Sequence, residues 1–351
     1  MQPDFAPRFA YLGCFTTAAR GARGDGIHVH AIDPATGAWT HIQHLPGLVN
    51  PSFLALAHDR RTLYAVHGDA DYASAFARDA ATGLLHPLGQ AATGGNNVVH
   101  LAVAPSGRHL IVANYGSGSV AVLPIGEDGS LAPFSFLAPM PGNPGPHPVE
   151  QAGSHPHQIL FDPSGRFVLV PDKGHDDVAV FGFDADRGTL SLHSVMAACP
   201  GAGPRHAAFH PARPVCWVLN ELNSSVTTCR WVSGRLEPVE AVPTLPGDFY
   251  GTSTAAAIAT TADGRVVYAS NRGHDTITAF CSDGGDGHLR PLGWTRAPGR
   301  GPRFMALQDK TLFVASEQDD RIGRFAPRDG GALDPLGETI SSPSPVTIAF
   351  A

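Results

Sequence analysis

The sequence has few of the features that direct a protein to nucleic acid or to a membrane. Its formal net charge is −7, and it contains no run of basic residues. This argues against nucleic acid or an anionic membrane surface as a partner. Residues 1–20 lack a charged start followed by an apolar core, so we expect neither a signal peptide nor a membrane-spanning segment. These absences predict a cytoplasmic protein.

Cysteine pairs and metal motifs are also scarce. The five cysteines include no C-x-x-C pair that would suggest zinc or a redox centre, and Cys216 and Cys229 fall in predicted strands, where buried thiols commonly fill space. Among 18 histidines, His155 and His157 are the only close pair embedded among other polar site candidates. Their spacing on a strand would put both rings on one face, but no third ligand is evident. We therefore predict no metal and no cofactor.

What the sequence does have is a repeat. One template recurs in "HLAVAPSGRHLIVANYGSGSVAVLPIGEDGSL", "HQILFDPSGRFVLVPDKGHDDVAVFGFDADRGTL", "RHAAFHPARPVCWVLNELNSSVTTCRWVSGRL" and "AAIATTADGRVVYASNRGHDTITAFCSDGGDGHL". Each copy reads as four short strands separated by polar or Gly-rich turns. Four-stranded repeats of this length are typical of propeller blades.

Seven such units account for the chain. Their second strands are predicted to begin near Ala10, Leu63, Leu110, Val168, Cys216, Val266 and Leu312. The first unit has no inner strand ahead of Tyr11, whereas Val346 to Phe350 resemble a spare inner strand. Pairing this segment with the first unit would close the ring and remove two exposed sheet edges. The prediction is an all-β, seven-bladed β-propeller with four antiparallel strands per blade.

Length alone favours two or more domains, but the uniform repeat predicts one propeller domain over residues 1–351, with a monomer as the expected state. The 40 glycines and 31 prolines supply the many turns that this fold needs. The longest irregular stretch, Pro139 to Ser154, is either a partly stiff rim loop over the channel mouth or a tolerated surface insertion.

Tracing one blade gathers distant polar residues at one end of the ring. The starts of first strands and the turns after second strands share one face. His157 and Arg205 are predicted to start the first strands of blades four and five. Glu221 and Arg272 are predicted to lie in the turns after the second strands of blades five and six. All four side chains should therefore lie at the same channel mouth.

The segments "GSHPHQILFDPSGRFVLVPD", "GPRHAAFHP", "LNELNSSV" and "ASNRGHD" resemble the lactonase family of seven-bladed propellers, which includes 6-phosphogluconolactonase and carboxy-cis,cis-muconate lactonizing enzyme. The resemblance runs from "YLGCFT" to "PRFMAL". It implies that His157, Arg205, Glu221 and Arg272 form the catalytic site. Two departures bear on substrate identity: Ala257 stands where the family often has an acid, and His67 with Gly68 replace another acidic position.

The chemistry of lactone opening suits these side chains. Water must attack an ester carbonyl, so a base, positive charge for the oxyanion and a proton for the leaving oxygen are required. His157 or Glu221 can act as the base. Arg205 and Arg272 can stabilise the oxyanion or hold a phosphate or carboxylate of the substrate. Each residue also has a structural interpretation: Arg205 with Glu221 as an ion pair, and His157 as a satisfied channel histidine.

Further residues occupy the same top-face positions and are predicted to bind the substrate: His100, His155, His206, Asn114, Asn271 and Arg303. The leading hypothesis is a metal-independent hydrolase of a small sugar-acid lactone such as 6-phosphogluconolactone. One alternative keeps the site but cycloisomerises a carboxymuconate. Another is a propeller that binds a ligand or protein without catalysis, since fold does not dictate function.

Overall fold

Antiparallel sheets arranged as a ring account for the repeats. The structure, a computed structural model, describes residues 8–283 and 285–351. In this part of the chain there are six four-stranded sheets and one five-stranded sheet, in which β28 (Ile340–Ser341) and β27 (Leu333–Pro335) both pair with β26 (Arg321–Pro327). The outer strand of blade seven is thus interrupted. The predicted all-β, seven-bladed propeller is confirmed.

The strands of blades one to three follow in chain order. They are β1 (Phe9–Cys14), β2 (Gly26–Ile32), β3 (Trp39–Pro46), β4 (Pro51–Leu56), β5 (Thr62–His67), β6 (Tyr72–Arg78), β7 (Leu85–Ala92), β8 (Val98–Val103), β9 (His109–Asn114), β10 (Ser119–Pro124) and β11 (Phe136–Pro139). A short 3-10 helix, Ala18–Arg20, lies between β1 and β2.

Blades four to seven repeat the same order. Their strands are β12 (Leu160–Phe161), β13 (Phe167–Asp172), β14 (Asp177–Asp184), β15 (Thr189–Ala197), β16 (Pro204–Phe209), β17 (Val215–Asn220), β18 (Ser225–Val232), β19 (Arg235–Pro243), β20 (Thr254–Thr260), β21 (Val266–Arg272), β22 (Thr276–Asp283), β23 (His288–Arg296), β24 (Pro302–Gln308), β25 (Thr311–Ser316), β26, β27 and β28, followed by β29 (Pro345–Phe350).

Ring closure occurs through the C-terminal strand, as predicted. β29 pairs antiparallel with β1, placing Phe350 opposite Ala10 and Ile348 opposite Leu12. The first sheet therefore has the order β29-β1-β2-β3. Because the inner position of blade one is filled from the far end of the chain, the inner edge of β1 is covered and blade one has four strands.

The second strands begin within one residue of their predicted positions in all seven blades. Among the first strands, that of blade four differs from the prediction, because it does not begin at His157. Its regular part is only Leu160–Phe161, although the His157 amide still donates to the Pro171 carbonyl at 2.9 Å. Pro156, which has no N–H to donate, precedes it and forms an isolated bridge with Asp172. His157 is consequently held by the sheet without belonging to a regular strand.

The apolar core lies between neighbouring blades. One cluster joins Tyr64 and Val66 of blade two to Leu110 and Val112 of blade three, and the equivalent cluster joins Trp217 of blade five to blade six. Such face-to-face packing of twisted sheets leaves their top ends free for polar residues. Nowhere in the described residues is there a helix long and apolar enough to cross a membrane.

Candidate active site

Strand polarity brings the four predicted catalytic residues to one end of the channel, which we call the top. In blade five Pro204 pairs with Asn220, so Arg205 at the start of β16 adjoins Glu221 at the end of β17. Arg272 ends β21 in blade six, opposite Thr254 at the start of β20. His157 lies at the corresponding end of blade four.

Glu221 is the centre of a buried cluster of charges. Its carboxylate lies 2.8 Å from Arg205 Nε and 3.2 Å from Arg272 Nη2. Lys173 Nζ, which the sequence analysis missed, lies 3.7 Å away. The Glu221 side chain is only 11% exposed. One carboxylate is therefore shared by cations from blades four, five and six.

These cations determine the ionisation state of the cluster. Burial would raise the pKa of Glu221, but Arg272, Arg205 and Lys173 outweigh it and hold that pKa well below its usual range. Burial lowers the pKa of Arg205 to about 9, opposed by Glu221, so the guanidinium remains charged near neutral pH. Glu221 is consequently a permanent counter-ion at neutral pH and a poor proton acceptor.

A bulge in β20 orients both guanidinium groups. The register with β21 shifts between Ala255 and Ile258. As a result, the carbonyl of Ala256 accepts a hydrogen bond from Arg205 Nη1, and that of Ala255 accepts one from Arg272 Nη2 at 3.3 Å. Backbone carbonyls of blade six thus fix the arginines in addition to Glu221.

The bulge also explains the environment of Ala257, where the family often has an acid. Its N–H donates to Ser270 Oγ at 3.0 Å, and its side chain is 4% exposed in the core between blades six and seven. An acidic side chain at this position would enter that apolar core unless the bulge changed shape. The departure at Ala257 therefore removes no charge from the cluster around Glu221.

Three imidazoles lie beside the charged cluster. The rings of His157 and His206 are 5.2 Å apart between centroids, and those of His206 and His100 are 5.7 Å apart. Burial, reinforced by Arg205, lowers the pKa of His157 and His206 well below 6.5 and that of His100 to about 3. All three rings are neutral at neutral pH, and the buried Nδ1 of His157 has no hydrogen-bond partner.

A recess opens beside two of these rings, those of His157 and His206, whereas His100, Glu221 and Arg272 do not line it. It is lined by Phe15, Arg20, Ser52, Phe53, Gly68, Val99, His157, Arg205, His206, Arg303, Phe304 and Val346. The Phe15 ring lies between two guanidinium groups, with Arg20 Cζ 4.5 Å and Arg303 Cζ 5.0 Å from its centroid. Cation–π contacts of this kind hold both arginines at the rim.

Gly68 occupies the rim at the second position where the family often has an acid. A Cβ on Gly68 would lie 3.6 Å from Arg20 Nη2, so an acidic side chain there would reach this guanidinium. In this chain Arg20 instead pairs with Asp69, through contacts of 2.5 and 2.6 Å. The adjacent His67 is fully buried, with its ring bonded to the Val49 carbonyl and Ser74 Oγ.

The loop Pro139 to Ser154 packs against the cluster, as expected for a rim loop. Its Glu150 contacts Lys173 Nζ at 2.6 Å, and Gln151 Nε2 donates to the Lys173 carbonyl at 2.9 Å. Burial opposes charge on Lys173, but Glu221, Tyr115 and Glu150 together raise its pKa above the usual value. Lys173 therefore remains a cation beneath the loop.

His155 is not among the residues that line the recess. Its ring stacks on Tyr115 at 4.3 Å between centroids, and its Nδ1 faces the Tyr115 carbonyl at 3.0 Å. Tyr115 in turn contacts the ring of His157 edge-on. His155 thus packs behind Tyr115 and His157, and its contact with substrate stays a prediction.

Asn114 and Asn271 do not line the recess, and substrate binding by these residues stays a prediction. Both are fully buried at the ends of second strands. Asn114 Nδ2 donates to Ser119 Oγ at 3.1 Å, and Asn271 Nδ2 donates to Thr278 Oγ1 at 2.9 Å. Their amides are turned inward because the third strand of the same blade offers hydroxyl partners.

Asp172, at the equivalent position of blade four, was missed. Its Oδ1 accepts from the backbone amides of His155 at 2.6 Å and Gly174 at 2.8 Å, and its Oδ2 accepts from Ser154 Oγ at 2.5 Å. It thereby fixes the segment that leads to His157. The aligned repeats, with Asn114, Asn220 and Asn271 in the same place, were the signal that could have identified it.

Comparisons with known proteins agree with this architecture. Residues 9–350 match the family model described as "Lactonase, 7-bladed beta-propeller". A 6-phosphogluconolactonase of Bacillus subtilis (strain 168) is 31% identical over 349 residues, covering 97% of this chain and 98% of the relative.

Two solved structures extend the likeness to three dimensions. A putative 6-phosphogluconolactonase from Bacteroides fragilis has a TM-score of 0.90 at 27% identity, covering 100% of this chain and 99% of that one. A periplasmic gluconolactonase of Pseudomonas aeruginosa has a TM-score of 0.88 at 28% identity, covering 98% of this chain and 99% of that one. Together with the family match, they show that the chain belongs to the lactonase family of seven-bladed β-propellers.

Proposed function

We propose that the protein hydrolyses a sugar-acid lactone that carries an anionic group, with 6-phosphogluconolactone as the first substrate to test. The observation that carries this proposal is the buried carboxylate of Glu221 holding two arginines beside a neutral, unpartnered imidazole. The names of the relatives support the reaction class, since they include a 6-phosphogluconolactonase and a gluconolactonase.

His157 is the residue best suited to act as the base. Its neutral imidazole, which lines the recess, accepts a proton from water as the water oxygen bonds to the lactone carbonyl carbon. Arg205, which lines the recess, stabilises the oxyanion that forms. Arg272, which shares Glu221 with Arg205 but does not line the recess, contributes its positive charge from a greater distance. When the ring C–O bond breaks, the imidazolium returns the proton to the leaving alkoxide, which gives the hydroxy acid. Glu221 positions the arginines and compensates their charge.

The rim supports an anionic substrate. Among the residues that line the recess are three arginines, Arg20, Arg205 and Arg303, but no carboxylate. An adjoining recess adds Arg23 and Arg300, with Glu317 as its acid. Arg23, Arg300 and Arg303 also pair with Asp320, Asp319 and Glu317, so a substrate anion would compete with these carboxylates for the guanidinium groups. A guanidinium fork matches the oxygens of a phosphate group, and Gly68 adds no opposing charge.

The direct test is to incubate the protein with 6-phosphoglucono-δ-lactone and to follow acid production at constant pH. We expect hydrolysis well above the spontaneous rate, with one oxygen from labelled water in the product. A protein that instead forms a lactone from a carboxymuconate, without consuming water, or that leaves every lactone at its spontaneous rate would contradict the proposal.

Substitution of Arg303 should separate phosphate binding from ring opening. We expect Arg303→Gln to raise KM for the phosphorylated lactone roughly tenfold or more, because a charge-assisted contact at the rim is lost. KM for unphosphorylated gluconolactone should change little. Arg187→Gln, an exposed arginine at the opposite end of the ring, is the control. Equal effects on both substrates would contradict phosphate recognition by Arg303.

The pH profile should report the neutral imidazole. Because burial depresses the pKa of His157 well below 6.5, the basic form exists above that lowered pKa and is lost only as the pH falls through it. After subtraction of spontaneous hydrolysis, kcat/KM should therefore remain level from about pH 7.5 down through 6.5. An acid limb centred near 6.5, the ordinary histidine value, would contradict this assignment of the base.

A further inference from the structure

A second group of ionisable side chains lies on blade one, outside the recess. Cross-strand register between β2 and β3 places His28 opposite His44 and His30 opposite His41, with a bulge between Val29 and His30. Directly opposed side chains on one sheet face are close enough to interact. Four histidines are thus gathered on two neighbouring strands.

Two of these histidines converge on one carboxylate. Asp25 Oδ1 lies 2.8 Å from His28 Nε2 and 3.2 Å from His44 Nε2. The rings of His28 and His44 are stacked in parallel, with centroids 4.6 Å apart and planes at 6°. His44 Nε2 is buried and, despite its closeness to Asp25, makes no hydrogen bond. Asp25 Oδ1 is therefore approached by the Nε2 atoms of both rings but is hydrogen-bonded only to that of His28.

A thiol completes the group. Cys14 Sγ, Asp25 and His28 have ligand atoms that all lie within 4.8 Å of one another. We propose that Cys14, Asp25 and His28 bind one divalent transition-metal ion of the Zn²⁺ class, and that the His44 ring, which contacts Asp25 but lies outside this group of three, moves to become the fourth ligand. In a tetrahedral zinc site the metal–ligand bonds are about 2.0–2.3 Å long. Neighbouring ligand atoms are then slightly farther apart than Asp25 Oδ1 is from His28 Nε2 and from His44 Nε2.

The contacts of the imidazole and of the thiol suggest how each would bind the ion. His28 Nε2 donates to Asp25 Oδ1 at 2.8 Å. A metal ion bound at Nε2 would take the place of this hydrogen, which would move to Nδ1 and be donated to His41 Nε2, 3.3 Å away. The Cys14 thiol donates to the Gly26 carbonyl at 2.8 Å, and on metal binding its proton is released to solvent as the thiolate forms.

The position of the group suggests its purpose. Cys14 ends β1, and Asp25 directly precedes β2, so the two ligands bracket the loop between these strands. That loop supplies Phe15, Arg20 and Arg23 to the two recesses. An ion bound by both ends of the loop would fix the base from which the rim residues project. The inference concerns binding of an ion and does not depend on the proposed reaction.

Zinc binding to chelator-treated, full-length protein tests the site. We expect one equivalent to bind and to raise the thermal midpoint, with affinity falling roughly tenfold to a hundredfold or more in His44→Gln and Asp25→Asn. His86→Gln, an exposed histidine on the outer strand of blade two, should bind like the wild type. Failure to bind, or equal binding by His44→Gln, would overturn the proposal.

Cobalt reports on the thiol separately. The Co²⁺ form of the wild-type protein should show a near-ultraviolet thiolate-to-metal charge-transfer band, and Cys14→Ser should lack it. A wild-type complex without this band would reject Cys14 as a ligand and thereby overturn the four-ligand site. Circular dichroism of each variant before metal addition shows whether it is folded, so that loss of binding is not confused with loss of structure.

Discussion

Replacement of His157 by Gln should lower kcat for lactone hydrolysis by roughly 10²–10⁴-fold, the range that a positioned general base supplies. The substitution removes the unpartnered Nδ1 and keeps a polar side chain of similar length. KM should change much less, because the ring acts on the attacking water and the proposed anion contacts come from the rim arginines. Steady-state kinetics under substrate saturation, with product acid followed over time, measure the effect.

His210→Gln is the matched control. His210 is also a buried histidine, but it follows the end of β16 and lies at the bottom of blade five, where its Nδ1 accepts from the amides of Ala212 and Arg213. A loss of stability shared by both variants would reveal the cost of replacing a buried ring. A loss of kcat confined to His157→Gln would support its role as the base, whereas unchanged turnover in His157→Gln would show that another group accepts the proton from water.

The sequence predicts the ring well because the repeat specifies it many times over. Each second strand combines a turn signal of the "PSGR" type with an apolar run, so errors in one blade are corrected by the others. The closing strand was identifiable because blade one lacked an inner strand and the C-terminus had one to spare. Blade four deviates where Pro156 and the contacts of Asp172 replace regular pairing before His157, a local effect that the repeat pattern does not contain.

The sequence is sufficient to predict that the site lies at one end of the channel, but not which way each side chain points. Strand polarity is sufficient to place Arg205, Glu221 and Arg272 at the top. It does not reveal that the amides of Asn114 and Asn271 turn inward, because that depends on hydroxyl groups supplied by the third strand of the same blade.

Lys173 and the blade-one histidines were also missed, but only Lys173 could have been identified from the sequence. Lys173 follows a second strand just as Glu221 does, so the repeat alignment offered a signal for it. The pairing of His28 with His44 depends instead on a β-bulge, which changes the register by one residue and has no clear mark in the sequence. Contacts that depend on register across a bulge are therefore accessible only from the structure.

Charge balance explains why one acid is central to the candidate site. Glu221 is the carboxylate within 4 Å of both Arg205 and Arg272, and Lys173 shares it. The other nearby acids, Glu150 and Glu317, pair with Lys173 and Arg303 from the rim. Removing Glu221 would leave two buried guanidinium groups with no anion in contact, whereas removing either rim acid would not.

Glu221→Gln should consequently reduce both stability and activity. Breaking a buried ion pair by removing one partner costs about 3–5 kcal/mol, measurable as a lower urea midpoint at unchanged slope. The arginines should also lose their alignment, and kcat/KM should fall by roughly a hundredfold or more. Glu237→Gln removes an exposed pair with Arg230 in the same blade and should cost less than about 1 kcal/mol, with activity unchanged.

Acidification and a second substitution distinguish charge loss from misfolding. Because the folded-state pKa of Glu221 is depressed, its stabilising effect is present above its usual value of 4.5 and is lost as the pH falls below that value toward the folded-state pKa. Wild type should therefore lose more stability than Glu221→Gln over this acidic range. Combining Glu221→Gln with Arg272→Gln should recover part of the stability, since one uncompensated charge disappears, but none of the activity. If the double variant were no more stable than Glu221→Gln, the loss of stability in Glu221→Gln would not come from an uncompensated guanidinium charge.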